Sequence, residues 1–180
     1  MKGIVFTELI EMVEDKWGLA MADRLLQPEG LASKGIFTAV GTYEDRDLFT
    51  IIGRLSEATG LSPDELQFHF GGYLFGSFVR GYSEMLSSFE TTFDLLSRLD
   101  DFIHPEVQRL YPDATLPSFS VMNRTETLLE MNYSSQRKMP EFAVGLTQAA
   151  AKHFGETLSV KWEALNEEEG LFRFVVTKES

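Results

Sequence analysis

The chain has 180 residues, 28 acidic against 16 basic, for a net charge of −12 with histidine neutral. That balance argues against nucleic acid or an anionic membrane as a partner, because phosphate neutralisation needs clustered Lys and Arg. The absence of Cys, with only 3 His, removes disulfides, thiolate nucleophiles, Cys-ligated zinc and iron–sulfur clusters.

A chain of this length buries about 70% of its unfolded surface and suits one domain or two small subdomains. At the N-terminus, Glu8, Glu11, Glu14 and Asp15 interrupt the apolar run too early for a signal h-region or a membrane span. A soluble, cytoplasmic protein is the expectation. Leu9, Met12, Val13 and Trp17 recur at helical spacing, with Gly18 as a stop. The stretch through Gly30, Gly35 and Gly41 suits a short helix and loops. Leu48, Ile51, Ile52, Leu55 and Ala58 predict a further amphipathic helix ending at Gly60.

Ser62-Pro63-Asp64-Glu65 carries a capping serine, a proline at the first helical position and a glutamate three residues after the cap. The helix it starts is predicted to reach about Ser87. Gly71, Gly72, Gly76 and Gly81 lie inside it, each costing about 1 kcal/mol relative to alanine. Either a second helix packs closely on them, or a flat ligand lies against a surface without side-chain bulk. Phe89 to Leu110 predicts another helical region, with a bend where His104 precedes Pro105. Pro112 and Pro117 end the helical part.

The period then changes. Ser118–Met122 and Thr127–Ser135 read as two strands, Pro140 opens a helix, and Thr157–Leu165 and Leu171–Thr177 read as two more strands. The predicted fold class is α+β: a helical part, 1–116, packed on a four-stranded antiparallel sheet with a covering helix, 117–180.

Strand alternation puts Leu129, Met131, Tyr133, Ser135 and Arg137 on one face, apolar first and then phenol, hydroxyl and guanidinium. That gradient suits a pocket with an apolar depth and an anion at its mouth. A strand end surfacing into water, with Arg137 paired to Glu141, fits the same pattern. His104, held at a bend, is either a packed boundary residue or a nitrogen ligand, and a single such ligand suits haem iron. No histidine pair has zinc spacing, and nucleophile-elbow, phosphate-loop and dinucleotide motifs are missing from their required contexts. The carboxylate clusters Asp100-Asp101 and Glu167–Glu169 fall where solvated faces and turns are expected, so no enzymatic role is read.

Met1-Lys2-Gly3-Ile4-Val5, His104, Leu116-Pro117-Ser118 and Tyr133-Ser134-Ser135-Gln136-Arg137 together resemble the H-NOX family, the haem–nitric oxide/oxygen-binding domains. The resemblance runs over essentially the whole chain. It implies haem b (iron protoporphyrin IX) between the two parts, with His104 as iron ligand. Tyr133, Ser135 and Arg137 would hold the propionates, Pro117 would press on and distort the porphyrin, and the glycine-bearing helix would lie along the distal side. Val5, Leu9, Leu74, Phe78 and Leu146 would line the pocket. Oxygen-binding members carry a distal tyrosine five residues after the motif's arginine. This chain has Phe142 there, which implies binding of NO and CO without stable O₂ binding. The resemblance further implies that NO weakens the bond to His104, and that the resulting shift regulates a separate partner, a histidine kinase or a cyclic-di-GMP enzyme. The cysteine cluster that binds zinc in some members is absent. A pocket for another tetrapyrrole, or an acidic interaction protein without cofactor, are the alternatives.

Overall fold

The computed structural model describes residues 1–179. Helices α1 (Gly3–Trp17), α2 (Leu19–Leu25), α3 (Asp45–Thr59) and α4 (Pro63–Gly81) form the first part. The stops are as the glycines predict: Gly60 adopts φ 77°, ψ 0° and caps α3 in the left-handed region. At the start of α4 the Ser62 hydroxyl accepts from the Glu65 N–H, and the Glu65 carboxylate accepts from the Ser62 N–H at 2.8 Å. This helix stops at Gly81, short of the predicted Ser87. Tyr82 leaves helical geometry at φ −132°, ψ 38°, and a single further turn, α5 (Ser83–Leu86), follows.

The region 89–110 is three pieces rather than one helix: α6 (Thr92–Ser97), a π-helical turn (Leu99–Ile103) and α7 (His104–Leu110). His104 itself is α-helical, at φ −64°, ψ −39°, against the expectation that Pro105 would push it out. The irregularity falls one turn earlier, where the Ile103 N–H reaches back five residues to the Arg98 carbonyl and the His104 N–H to that of Leu99. The wider turn makes room for the proline ring, and Pro105 then sits in the first turn of α7, where its missing N–H costs nothing.

The strands β1 (Ser118–Arg124), β2 (Leu128–Ser134), β3 (Leu158–Asn166) and β4 (Leu171–Lys178) form one antiparallel sheet in the order β1-β2-β4-β3, with α8 (Pro140–His153) between the hairpins. The α+β class is as predicted. Burial alternates along β2 and β4, and Leu129, Met131, Tyr133, Phe172, Phe174 and Val176 form the inner face. α6 lends Phe93 and Leu96 to the cluster around Leu129, Met131 and Val176. A second core joins Phe6, Leu9, Met12, Leu48, Ile52, Leu55 and Phe70 of the first four helices. α8 is seated against α4 by backbone contact. A Cβ on Gly71 would overlap the Phe142 carbonyl oxygen, and one on Gly145 would overlap that of Phe68. Helix packing therefore accounts for Gly71. Gly76 and Gly81 face no close neighbour beyond the Arg80 side chain, and none of the four glycines of α4 lines the cavity described next.

Candidate functional site

A cavity of about 630 Å³ lies between the two parts, within the size range of cofactor pockets. The first turn of α1 gives it Ile4 and Val5, α4 gives Leu74, Phe75 and Phe78, and α8 gives Phe142 and Leu146. His104, Pro117 and Phe119 stand on another side, and Tyr133, Ser135 and Arg137 also reach it. Ten of the eleven residues singled out from the sequence thus meet in one place. Leu9 does not: it is 1% exposed in the helical core, because only the first turn of α1 borders the cavity. The hydroxyl of Thr147, a further wall residue, is spent on the Ala143 carbonyl at 2.9 Å.

The histidine is set from two directions. Its Nδ1 lies 2.9 Å from Asp100 Oδ1, one helical turn back, with the side chain 16% exposed. The other Asp100 oxygen accepts from the Phe119 N–H of β1 at 2.8 Å. Burial holds the His104 imidazole below its ordinary value, against the opposing pull of the Asp100 carboxylate, so the ring is neutral near pH 7. A neutral ring donating from Nδ1 keeps its lone pair on Nε2, and among the described residues no protein group engages that nitrogen. A carboxylate behind the imidazole is the arrangement that orients metal-ligating histidines. Asp100 therefore belongs to the site, and the reading of Asp100-Asp101 as a solvated face is corrected for its first member. The signal was the spacing of four residues from Asp100 to His104.

β2 ends at Ser134, so strand alternation carries Tyr133 to the cavity but not Arg137. A turn does that instead. Lys138 N–H donates to the Ser135 carbonyl at 3.1 Å and Arg137 N–H to the Ser135 hydroxyl at 3.2 Å, while Lys138 takes φ 51°. Burial pushes the Tyr133 phenol up, partly offset by the Ser135 side chain, the Met139 backbone and the Arg137 charge, so it stays protonated. Arg137 does not pair with Glu141, whose carboxylate accepts from Trp162 Nε1 at 2.8 Å. It donates to the Thr115 carbonyl at 2.7 Å. Its Nε stands 2.9 Å from Asp45 Oδ2 yet is buried without an aligned hydrogen bond. A polar recess of about 500 Å³, lined by Asp45, Gln136 and Arg137, adjoins this end. A ligand suited to this site is apolar over most of its area and anionic at one edge, and it takes one nitrogen donor. The residues present fit haem on each count.

The sequence model of the haem-NO-binding family matches residues 2–162. The chain belongs to the H-NOX family. H-NOX domains are haem-based gas sensor domains. Among solved structures, the chain is 34% identical to a variant of the H-NOX protein from K. algicida in the unliganded Fe(II) state, covering 100% of this chain and 97% of that one at a TM-score of 0.95. It is 36% identical to the H-NOX from Shewanella woodyi with IWP-051 bound in the Fe(II)CO state, covering 99% and 95% at 0.84. The H-NOX protein from S. oneidensis in the Fe(II)NO state shares the fold at 23% identity, 100% coverage of both chains and a TM-score of 0.89. Among curated proteins none matches this chain. No helix of this H-NOX chain among the described residues is long and apolar enough to cross a membrane.

Proposed function

We propose that this H-NOX protein is a nitric oxide sensor that holds ferrous haem b through His104. When bound, the haem supplies an iron that takes NO or CO. The chain's own part is fourfold. Asp100 fixes the His104 ring so that Nε2 is its free donor. Tyr133, Ser135 and Arg137 offer two hydroxyls and a guanidinium to carboxylates at the polar end. Val5, Leu74, Phe78, Phe142 and Leu146 present only carbon to the cavity, excluding water and giving bound O₂ no hydrogen bond. Pro117 sits on the cavity wall beside β1, where the resemblance assigns it contact with the porphyrin.

His104 is the point at which a bound haem would act on the fold. The residue joins a π turn, whose Leu99, Phe102 and Ile103 pack half-buried against the core, to α7, which adds no residue to a core cluster, so its displacement moves a helix that the core restrains only at its near end. Such a two-state element, biased by a ligand, is what a sensor requires. The protein acts in the cytoplasm as a sensor rather than a catalyst, and passes the change to a separate histidine kinase or cyclic-di-GMP enzyme.

The observation that carries this reading is a neutral imidazole, only 16% exposed and oriented by a carboxylate, that lines an apolar cavity with two hydroxyls and a guanidinium at one end. Absorption spectra of the reduced protein alone, with NO, with CO and in air test it. A Soret band that His104→Gly loses and free imidazole restores is expected. A band indifferent to that change favours another tetrapyrrole mode, and a colourless protein despite haem supply refutes the reading. A long-lived oxygenated spectrum in air refutes the gas preference.

A further inference from the structure

The π turn and α7 run from Leu99 to Leu110 without one buried residue, and Leu110 at the far end is 56% exposed. Leu99, Phe102 and Ile103 of the π turn still pack half-buried against the core, whereas α7 adds no residue to a core cluster, so side-chain bonds past its far end take over the holding there. At the near end Asp100 is tied to β1 through the Phe119 N–H. At the far end, three residues past α7, Asp113 accepts from Lys2 Nζ at 2.9 Å and from the Thr42 hydroxyl at 2.7 Å.

Lys2 is the hub of that second tie. Its ammonium also donates to Thr42 Oγ1 at 2.9 Å and to the Val40 carbonyl at 3.2 Å, and it lies 5.8 Å from the Tyr111 ring centroid. The side chain is only 11% exposed. Lys2 and Thr42 form an isolated β-bridge, flanked by Gly3 N–H to the Gly41 carbonyl at 2.8 Å and Tyr43 N–H to the Met1 carbonyl at 2.9 Å. Asp113 is thus fastened to the backbone junction that starts α1, whose first turn supplies Ile4 and Val5 to the cavity lining. The Thr42 and Lys2 hydrogen bonds hold its carboxyl down at about 2, so it stays ionised across the working range.

We infer that Lys2, Thr42 and Asp113 form a clamp that positions the His104 helix. The clamp pins the far end of α7, so that displacement of His104 turns the helix about Asp113 instead of lifting it away, and it hands the movement to the first turn of α1. Lys2 and Asp113 are positioning residues: neither bonds to His104, and only Lys2 borders the cavity. The inference rests on His104 as the haem ligand.

Amide hydrogen exchange, read peptide by peptide on the haem-loaded ferrous protein with and without NO, tests it. In the natural protein NO raises exchange across residues 99–106 and leaves 108–115 protected. In Asp113→Asn, and independently in Lys2→Met, NO raises exchange in 108–115 as well, about threefold to fivefold for the loss of a surface-edge ion pair. Equal protection of 108–115 in variant and natural protein overturns the clamp. So does a rise spread evenly over the sheet peptides, which marks a merely structural brace. A missing Soret band, or a natural protein whose 99–106 exchange ignores NO, overturns the sensor reading and the clamp's role together, before any variant is made.

Discussion

Replacing Asp100 with asparagine isolates the group that orients His104. The carboxylate serves two donors at once, His104 Nδ1–H at 2.9 Å and the Phe119 N–H at 2.8 Å. An amide has one acceptor oxygen, so Asp100→Asn satisfies one donor and turns its NH₂ group on the other. A hydrogen bond to a charged acceptor contributes about 1.5–3 kcal/mol and a neutral one about 1 kcal/mol. Asp100 is 35% exposed, which places the loss near the lower end, at about 1–1.5 kcal/mol or roughly tenfold in an equilibrium constant. That agrees with the roughly 10- to 100-fold range for changes behind a metal ligand. The assay is the rate of haem transfer from the ferrous protein to excess apomyoglobin. Asp100→Asn is expected to lose haem about tenfold faster, while the same change at the exposed neighbour Asp101 leaves the rate unaltered. Equal rates for all three proteins would refute the reasoning, because the imidazole would then need no carboxylate behind it.

Phe142→Tyr places a hydroxyl on a cavity wall that otherwise offers carbon. The ferrous variant is expected to hold O₂ long enough for a stable oxygenated spectrum in air, and an unchanged spectrum counts against this position as the selectivity determinant. Gly145→Ala drives a Cβ into the Phe68 carbonyl, a backbone-to-backbone overlap that costs about 1–3 kcal/mol and lowers Tm by several degrees. Gly76→Ala, which meets only the Arg80 side chain at 3.6 Å, should raise Tm instead, and a similar fall in both variants would sink the packing argument. Asp47 is fully buried and accepts from the Ala32 and Ser33 N–H groups, each at 2.9 Å. Burial pushes its carboxyl up, but the hydrogen bonds from Ser33 and Ala32 outweigh that and hold it below its ordinary 3.8. A depressed carboxyl stabilises above the unfolded value and loses that contribution as pH falls through the folded one. Thermal unfolding of the natural protein should therefore weaken below about pH 4 more steeply than that of Asp47→Asn, and parallel curves would count against it.

The fold was legible wherever one local rule acted alone. The capping box at Ser62, the stop at Gly60 and the change of period after Pro117 each landed within a few residues. The site was legible where the identity of a side chain sufficed, as for His104, Tyr133 and Phe142. What stayed hidden depended on partners distant in sequence. Gly71 declares only that something comes close, and the Phe142 carbonyl that does so lies on another helix. Arg137 reaches the cavity through a turn that no alternation rule contains, and meets Asp45 from the start of α3. The four-residue spacing points Asp100 at His104, but Asp101 at three residues is equally well placed on a regular helix, and the π turn that separates the two is not visible locally. Leu9 fell out for the opposite reason: its helical face is the predicted one, but the cavity ends a turn earlier.

The two walls of the cavity differ in what restrains them. On one side α4 and α8 touch backbone to backbone at Gly71 and Gly145, a contact that cannot slide without overlap. On the other, only Leu99, Phe102 and Ile103 of the π turn pack half-buried on the core, α7 adds nothing to it, and Asp100 and Asp113 supply the polar ties at either end. A force applied at His104 meets less resistance in its own helix than in the α4–α8 contact, so the displacement goes into the helix. Hydrogen bonds to a few carboxylates, unlike a packed core, can be broken one at a time. The compliant wall is therefore the one a gas-driven switch would use, and its two anchoring carboxylates set how far the movement spreads.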